Sequence, residues 1–170
     1  MYYFANNQYY IPAPKEMVES WISDSNKIGW RDTKPAVWID GQDMYILTHG
    51  TTTGQIVFDS KMISLPELAK NYGDEIAALG IKHVYTISCH TYFQRPCIYK
   101  GIEFRPILVS YLEFIIETGY VTPIGTNSEV PCVVATVKAD SRFKFIRKMK
   151  KAVAYYSALW AVNRKPKVIE

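Results

Sequence analysis

Two apolar runs, Met44-Tyr-Ile-Leu-Thr-His-Gly50 and His83-Val-Tyr-Thr-Ile-Ser-Cys89, decide the fold of this chain. Each run is built of β-branched, aromatic and aliphatic residues and stops at a polar, chemically capable side chain. This pattern is typical of a strand that is followed by a loop. The two runs therefore predict two strands that end close to His49 and Cys89.

The residues between the two runs carry the signals of a helix. Ser64-Leu-Pro-Glu67 predicts a capping box with proline in the first turn, and Gly80 predicts the stop. An apolar stripe at helical spacing joins them, formed by Leu65, Leu68, Tyr72, Ile76 and Leu79. A strand–helix–strand crossover of this size usually makes two parallel strands of one sheet. Because the carboxyl ends of such strands share one edge, His49 and Cys89 are expected to lie together there.

The remaining segments complete one predicted α/β domain over residues 1–170, with a mostly parallel central sheet flanked by helices. A small N-terminal hairpin is expected around Asn6-Asn7, and a short helix after Pro14 that breaks at Ser23–Asn26. Ala36–Asp40 predicts a further strand, and Gln55–Phe58 a short strand inside a loop. Later segments are predicted as a loop (92–104), a helix (105–119), two strands (121–124 and 131–137) and a final helix from about residue 140.

Composition narrows the class of protein. Nearly half of the 170 residues are apolar, which is typical of an ordered globular chain. The N-terminus has no leader pattern, and no apolar run has the length of a bilayer span, so a cytoplasmic protein without a membrane partner is expected. The three cysteines (Cys89, Cys97 and Cys132) form no Cys-x-x-Cys pair, and this favours a reducing compartment with neither a metal nor another cofactor.

His49 and Cys89 are the residue types of a thiol nucleophile and its base. A thiol attacks as the thiolate, and a nearby imidazole can take its proton and later protonate a leaving amine. Gly50 would let a substrate carbonyl approach the backbone. Its N–H and that of Cys89 are the candidate donors of an oxyanion hole.

Tyr45-Ile-Leu-Thr-His-Gly50 and Val84-Tyr-Thr-Ile-Ser-Cys89 resemble the two motifs of the caspase-like cysteine peptidases, which include caspases, legumains, gingipains and the CHAT-type peptidases. In that family one apolar strand ends in His-Gly and a later one ends at the nucleophilic Cys. The resemblance implies a caspase-like fold and a cysteine endopeptidase acting on a peptide or protein substrate. It makes His49 the general acid/base, Cys89 the nucleophile, and Gly50 and Cys89 the oxyanion donors. Four nearby residues are candidates for substrate contact: Asp40, Thr51, His90 and Arg95.

Two other interpretations stay open at this stage. Cys89 and Arg95 have the Cys-x5-Arg spacing of a tyrosine-phosphatase phosphate loop, in which an arginine holds an oxyanion over the thiolate. Alternatively, the protein is a non-catalytic relative that contacts an acidic or nucleic-acid partner through a basic C-terminal helix at residues 142–151. The cations of that segment equally fit the solvated face of an amphipathic helix. Neither substrate specificity nor oligomeric state can be read from the sequence.

Overall fold

The structure is a computed structural model that describes residues 2–6, 9–88, 93–107 and 163–170. In chain order its elements are β1 (Tyr2–Asn6), β2 (Tyr9–Ala13), α1 (Lys15–Ile28), β3 (Ala36–Asp40), β4 (Asp43–Leu47), β5 (Gln55–Phe58), β6 (Lys61–Ser64), α2 (Leu65–Ala78), β7 (His83–Ile87), β8 (Cys97–Tyr99), β9 (Ile102–Pro106) and β10 (Lys167–Ile169). Cys89, His90 and Cys132 lie outside the described residues. So do most of the predicted 105–119 helix, the strands at 121–124 and 131–137, and the final helix with its basic segment 142–151.

The central sheet of the described residues is mixed, with the order β10-β8-β9-β7-β4-β3. Strands β4, β7 and β9 are parallel neighbours, whereas β3 runs antiparallel to β4 and β8 antiparallel to β9. The α/β class is confirmed, but the expected mostly parallel sheet is not. The reason is local, because two-residue turns join both antiparallel pairs. Lys100 and Gly101 both have positive φ (49° and 78°), as a type I′ hairpin turn requires.

Within the described residues, one helix packs on each face of this sheet. The α1 side chains Val18 and Trp21 pack with Trp38, Tyr45, Leu47 and Ile87 on one face. The α2 side chains pack with Met44, Ile46, Val84 and Phe104 on the other. Side chains of a strand alternate between faces, so odd-numbered residues of β4 and β7 face α1 and even-numbered residues face α2. Neither helix has the combination of length and apolar composition needed to cross a lipid bilayer, and the same holds for all described residues.

The predicted α2 helix is confirmed in its start and its stop. Ser64 and Glu67 form the capping box, with Ser64 Oγ accepting from the Glu67 N–H at 3.2 Å, and Gly80 follows the helix with a φ of 77°. Leu65, Leu68 and Ile76 are buried as predicted. Leu79 is 61% exposed, so the apolar stripe ends one turn earlier than its spacing indicates.

The predicted break of the first helix is wrong, because α1 continues through Ser23–Asn26 to Ile28. Ser25 donates its hydroxyl to the carbonyl of Trp21 at 2.9 Å, a contact that pairs the serine locally without interrupting the helix. Gly29, with a φ of 83°, follows the last helical residue. The N-terminal hairpin is confirmed, although its register pairs Asn6 with Tyr9 and so starts the turn one residue later than expected.

Two loop predictions are corrected by hairpins. Gln55–Phe58 is a strand as expected, but it pairs with a second strand at Lys61–Ser64 instead of lying alone. The predicted loop at 92–104 contains β8 and most of β9. Since Arg105 and Pro106 belong to β9, the helix predicted from residue 105 does not begin there. Parallel pairing with β7 holds Ile102–Pro106 in a strand, although the strand ends in a proline.

Candidate functional site

The carboxyl ends of β4 and β7 lie side by side. The register pairs Leu47 with Ile87, and the Thr48 N–H donates to the Ile87 carbonyl at 3.1 Å just beyond the last pair. The His49 carbonyl accepts from the Val57 N–H at 2.9 Å, on the other side of the chain. His49 is therefore held at the edge of the sheet by backbone hydrogen bonds on both sides.

The His49 side chain packs against α1. Its ring stacks on the indole of Trp21 with the two centroids 4.6 Å apart, and its Nε2 lies 2.9 Å from Ser25 Oγ. Burial lowers the pKa of His49 from 6.5 to about 4, because the charged imidazolium would lose much of its hydration there. The imidazole is consequently neutral at pH 7, and it is a weaker base than an exposed histidine.

Gly50 lies three residues beyond the end of β4 and forms an isolated antiparallel bridge with Ile56 of β5. The hydrogen bonds of that bridge are made by its neighbours, with the Thr51 N–H donating to Gln55 at 2.8 Å and the His49 carbonyl accepting from Val57. Amides alternate along an extended chain, so the Gly50 N–H points away from β5, to the side where Thr48 bonds to β7. No acceptor for this N–H lies among the described residues.

The loop after Gly50 reaches across to the segment that follows Cys89. Thr51 Oγ1 lies 2.9 Å from Thr53 Oγ1, and Thr51 also accepts from the Gln55 N–H, which closes a tight turn at residues 51–55. Gly54, with a φ of 81°, contacts Phe93 so closely that a Cβ at this position would lie 2.3 Å from the Phe93 carbonyl oxygen. The absence of a side chain at Gly54 is what allows the two loops to meet.

A buried polar network lies at the end of β7. Gln94 is fully buried, accepts from Thr86 Oγ1 at 2.8 Å and donates to Ser88 Oγ. The backbone carbonyl of Gln94 accepts from the Arg164 side chain at 2.9 Å. This bond connects the residues just before β10 to the end of β7. These contacts anchor the chain on both sides of Cys89, at Ser88 and at Gln94.

The predicted site residues are distributed unequally. His49, Gly50 and Thr51 lie together at the carboxyl end of β4. Asp40 pairs with Asp43 at the amino end, on the order of 20 Å along the strand from His49, so its assignment to the same site is wrong. Arg95 is exposed and leads into β8 after Pro96, whereas a phosphatase loop leads into a helix. Cys89 and His90 stay predictions, because they lie outside the described residues.

Sequence reasoning missed four residues that shape this region: Trp21, Ser25, Gly54 and Gln94. Only Gly54 carried a signal, as the glycine of a Thr-rich turn. Cys97 is buried, and burial raises the pKa of its thiol to about 11, so it lacks the exposure expected of an ordinary reactive thiol. No group of three or more His, Cys, Asp or Glu side chains in the described ranges could hold a metal ion. No protein-family model, curated protein or solved structure matches this chain.

Proposed function

We propose that the protein is a cysteine peptidase-like hydrolase in which His49 and Cys89 act as base and nucleophile on a peptide substrate. The observation that carries the proposal is the register of β4 and β7. Leu47 pairs with Ile87, an offset of 40 residues, and His49 and Cys89 stand two positions further along with the same separation. A register that continues for two residues would bring the two side chains to the same face of the sheet.

The environment of His49 defines how it would act. Its lowered pKa favours a neutral imidazole beside a neutral thiol, and opposes a resting imidazolium–thiolate pair. His49 would take the thiol proton as the sulfur attacks the substrate carbonyl, and would pass that proton to the leaving amine as the peptide bond breaks. Water, deprotonated by the same imidazole, would then hydrolyse the resulting thioester and release the acid and the free thiol.

The Gly50 N–H is the proposed donor for the oxyanion that forms in both steps. This role requires the β4–β7 hydrogen bonds to end at Thr48 and Ile87, because a ladder continued by two residues would pair this N–H with the Cys89 carbonyl. The Gly50 N–H points to the side of β7 and has no acceptor among the described residues. A preorganised donor of this kind stabilises the negative charge of the tetrahedral intermediate, at little reorganisation cost. Thr51, next in the chain, borders the same position and is the described candidate for substrate contact.

Hydrolysis of fluorogenic peptidyl-aminocoumarins with varied residues before the scissile bond tests the proposal. Turnover by the unaltered protein should fall to background in Cys89→Ala and at least a hundredfold in His49→Gln. Cys97→Ala is the matched control and should retain turnover, since the buried Cys97 is no nucleophile. Turnover that persists in Cys89→Ala, or a complete lack of turnover across the series, would contradict the proposal.

A non-catalytic binding protein is the second candidate, and the packing of His49 is what favours it. A histidine stacked on Trp21 and bonded to Ser25 can also be a purely structural side chain with satisfied contacts. In that case His49→Gln would lower stability without changing the chemistry of any thiol. The Cys-x5-Arg phosphatase interpretation has less support, because β8 follows Arg95 where the phosphate-binding helix would have to begin.

A further inference from the structure

The contact between Ser25 and His49 determines which imidazole nitrogen carries the proton. A serine hydroxyl has one hydrogen to donate. Ser25 Oγ lies 2.9 Å from the Trp21 carbonyl oxygen, which can only accept, so the hydroxyl hydrogen is used in that bond. With that hydrogen used, the second contact of Ser25 Oγ, 2.9 Å from His49 Nε2, is best satisfied with the hydroxyl oxygen as the acceptor.

This arrangement favours one tautomer of the neutral imidazole. Nε2 carries the hydrogen and donates it to Ser25, and Nδ1 keeps its lone pair. Among the described residues none forms a hydrogen bond with Nδ1, and in this tautomer Nδ1 is the nitrogen that accepts a proton. Trp21, one turn before Ser25 on α1, stacks on the ring and limits its rotation. Two residues of one helix thus set both the orientation and the tautomer.

We propose that Ser25 is a positioning residue, which holds His49 as the Nε2–H tautomer so that Nδ1 accepts the proton of the Cys89 thiol. The inference rests on the proposed function, because it assigns Ser25 a part in the same thiol chemistry. In this arrangement a third group orients the base: the Ser25 hydroxyl oxygen accepts from Nε2, and Nδ1 on the other side of the imidazole ring faces away from Ser25. Ser25 contacts His49 and does not itself contact the substrate.

Two readouts on the full chain test this inference. Long-range ¹H–¹⁵N correlation spectra at pH 7 should show His49 as the Nε2–H tautomer, and Ser25→Ala should give a mixture of both tautomers. The alkylation rate of Cys89 by iodoacetamide should fall about three- to tenfold in Ser25→Ala, the range expected for loss of one hydrogen bond. Ser25→Thr should restore both readouts. Ser23→Ala, on the same helix, is the matched control and should change neither.

The outcomes separate the inference from the function on which it rests. An Nδ1–H tautomer in the unaltered protein, or an unchanged tautomer in Ser25→Ala, would overturn the inference while Cys89 still depends on His49. If the tautomer responds to Ser25→Ala but the alkylation of Cys89 responds neither to that change nor to His49→Gln, the proposed function fails. Ser25 would then be a residue that only packs His49.

Discussion

At the scale of single residues, the imidazole of His49 couples folding to pH. Its pKa is lowered from 6.5 to about 4 in the folded chain, so between these values the unfolded state binds the proton and the folded state does not. Stability contributed by neutral His49 is fully present above about pH 6.5 and is lost as the pH falls towards 4. Allowing for the partial exposure of the ring, the loss should be on the order of 2 kcal/mol.

Urea unfolding at pH 7 and pH 4.5 measures this effect. His49→Gln keeps a donor for Ser25 but cannot titrate, so its free energy of unfolding should fall less between the two pH values than that of the unaltered protein. Other titrating groups are common to both chains and cancel in the comparison. An equal fall in the two proteins would show that His49 is not held neutral by burial.

Gly54 should be the least replaceable of the described glycines in this region. Gly54→Ala forces a side chain onto a φ of 81° and places its Cβ against the Phe93 carbonyl, at a cost of about 2–4 kcal/mol. Gly41→Ala is the matched control, since Gly41 also has a positive φ but open space around it, and should cost about 1 kcal/mol. Measuring the unfolding free energies of both variants tests this difference in cost. Equal costs would mean that the loops at 54 and 93 do not meet.

The position of His49 was predictable from its sequence neighbours, because an apolar strand followed by His-Gly is a local pattern. The position of Ser25 was not predictable, because the polar segment Ser23–Asn26 predicts a helix break. The contact with His49 is long-range and has no signal in the sequence. Asp40 was misassigned for the opposite reason. It is close to His49 in sequence, but it lies beside the first residue of β4, and the length of that strand separates it from His49.

At the scale of elements, Gln94 holds the segment after Cys89 against the end of β7. Gln94→Leu would leave the buried hydroxyls of Thr86 and Ser88 without their amide partner, and should lower the unfolding free energy by about 2–4 kcal/mol. Thr86→Val alone should also destabilise. In the Gln94→Leu background, however, it removes an unsatisfied hydroxyl and should restore about 1 kcal/mol.

A double-mutant cycle by urea unfolding gives the coupling directly. Simple additivity of Gln94→Leu and Thr86→Val would contradict the network. The sequence did not predict these contacts, because the segment from Tyr92 to Phe104 has no hydrophobic periodicity. Its strands exist through pairing, β8 with β9 and β9 with β7, and the Lys100-Gly101 turn was the one local signal for them.

At the scale of the whole molecule, the crossover from β4 through α2 to β7 was predicted correctly, since a capped helix between two apolar runs leaves few topologies. β3 was predicted as a strand but without its antiparallel orientation, and β8 was predicted as part of a loop, so the expected sheet was mostly parallel. Two-residue turns produce both antiparallel pairs, and these turns follow from backbone conformation at a few positions such as Gly41 and Lys100. Strand pairing beyond the crossover depends on long-range contacts, which hydrophobic pattern alone does not specify.

The most direct test of the central claim is the rate at which iodoacetamide alkylates Cys89 at pH 6–7, followed by peptide mass spectrometry. Cys97 is an internal reference of low reactivity, because burial raises the pKa of its thiol to about 11. Cys89 should react faster than Cys97, because neutral His49 takes the thiol proton as the sulfur attacks the reagent. His49→Gln should slow Cys89 about ten- to a hundredfold, the lower part of the effect of a positioned base, since a base with a pKa of about 4 is weak. A Cys89 rate that is the same in the unaltered protein and in His49→Gln would contradict the pairing of the two residues.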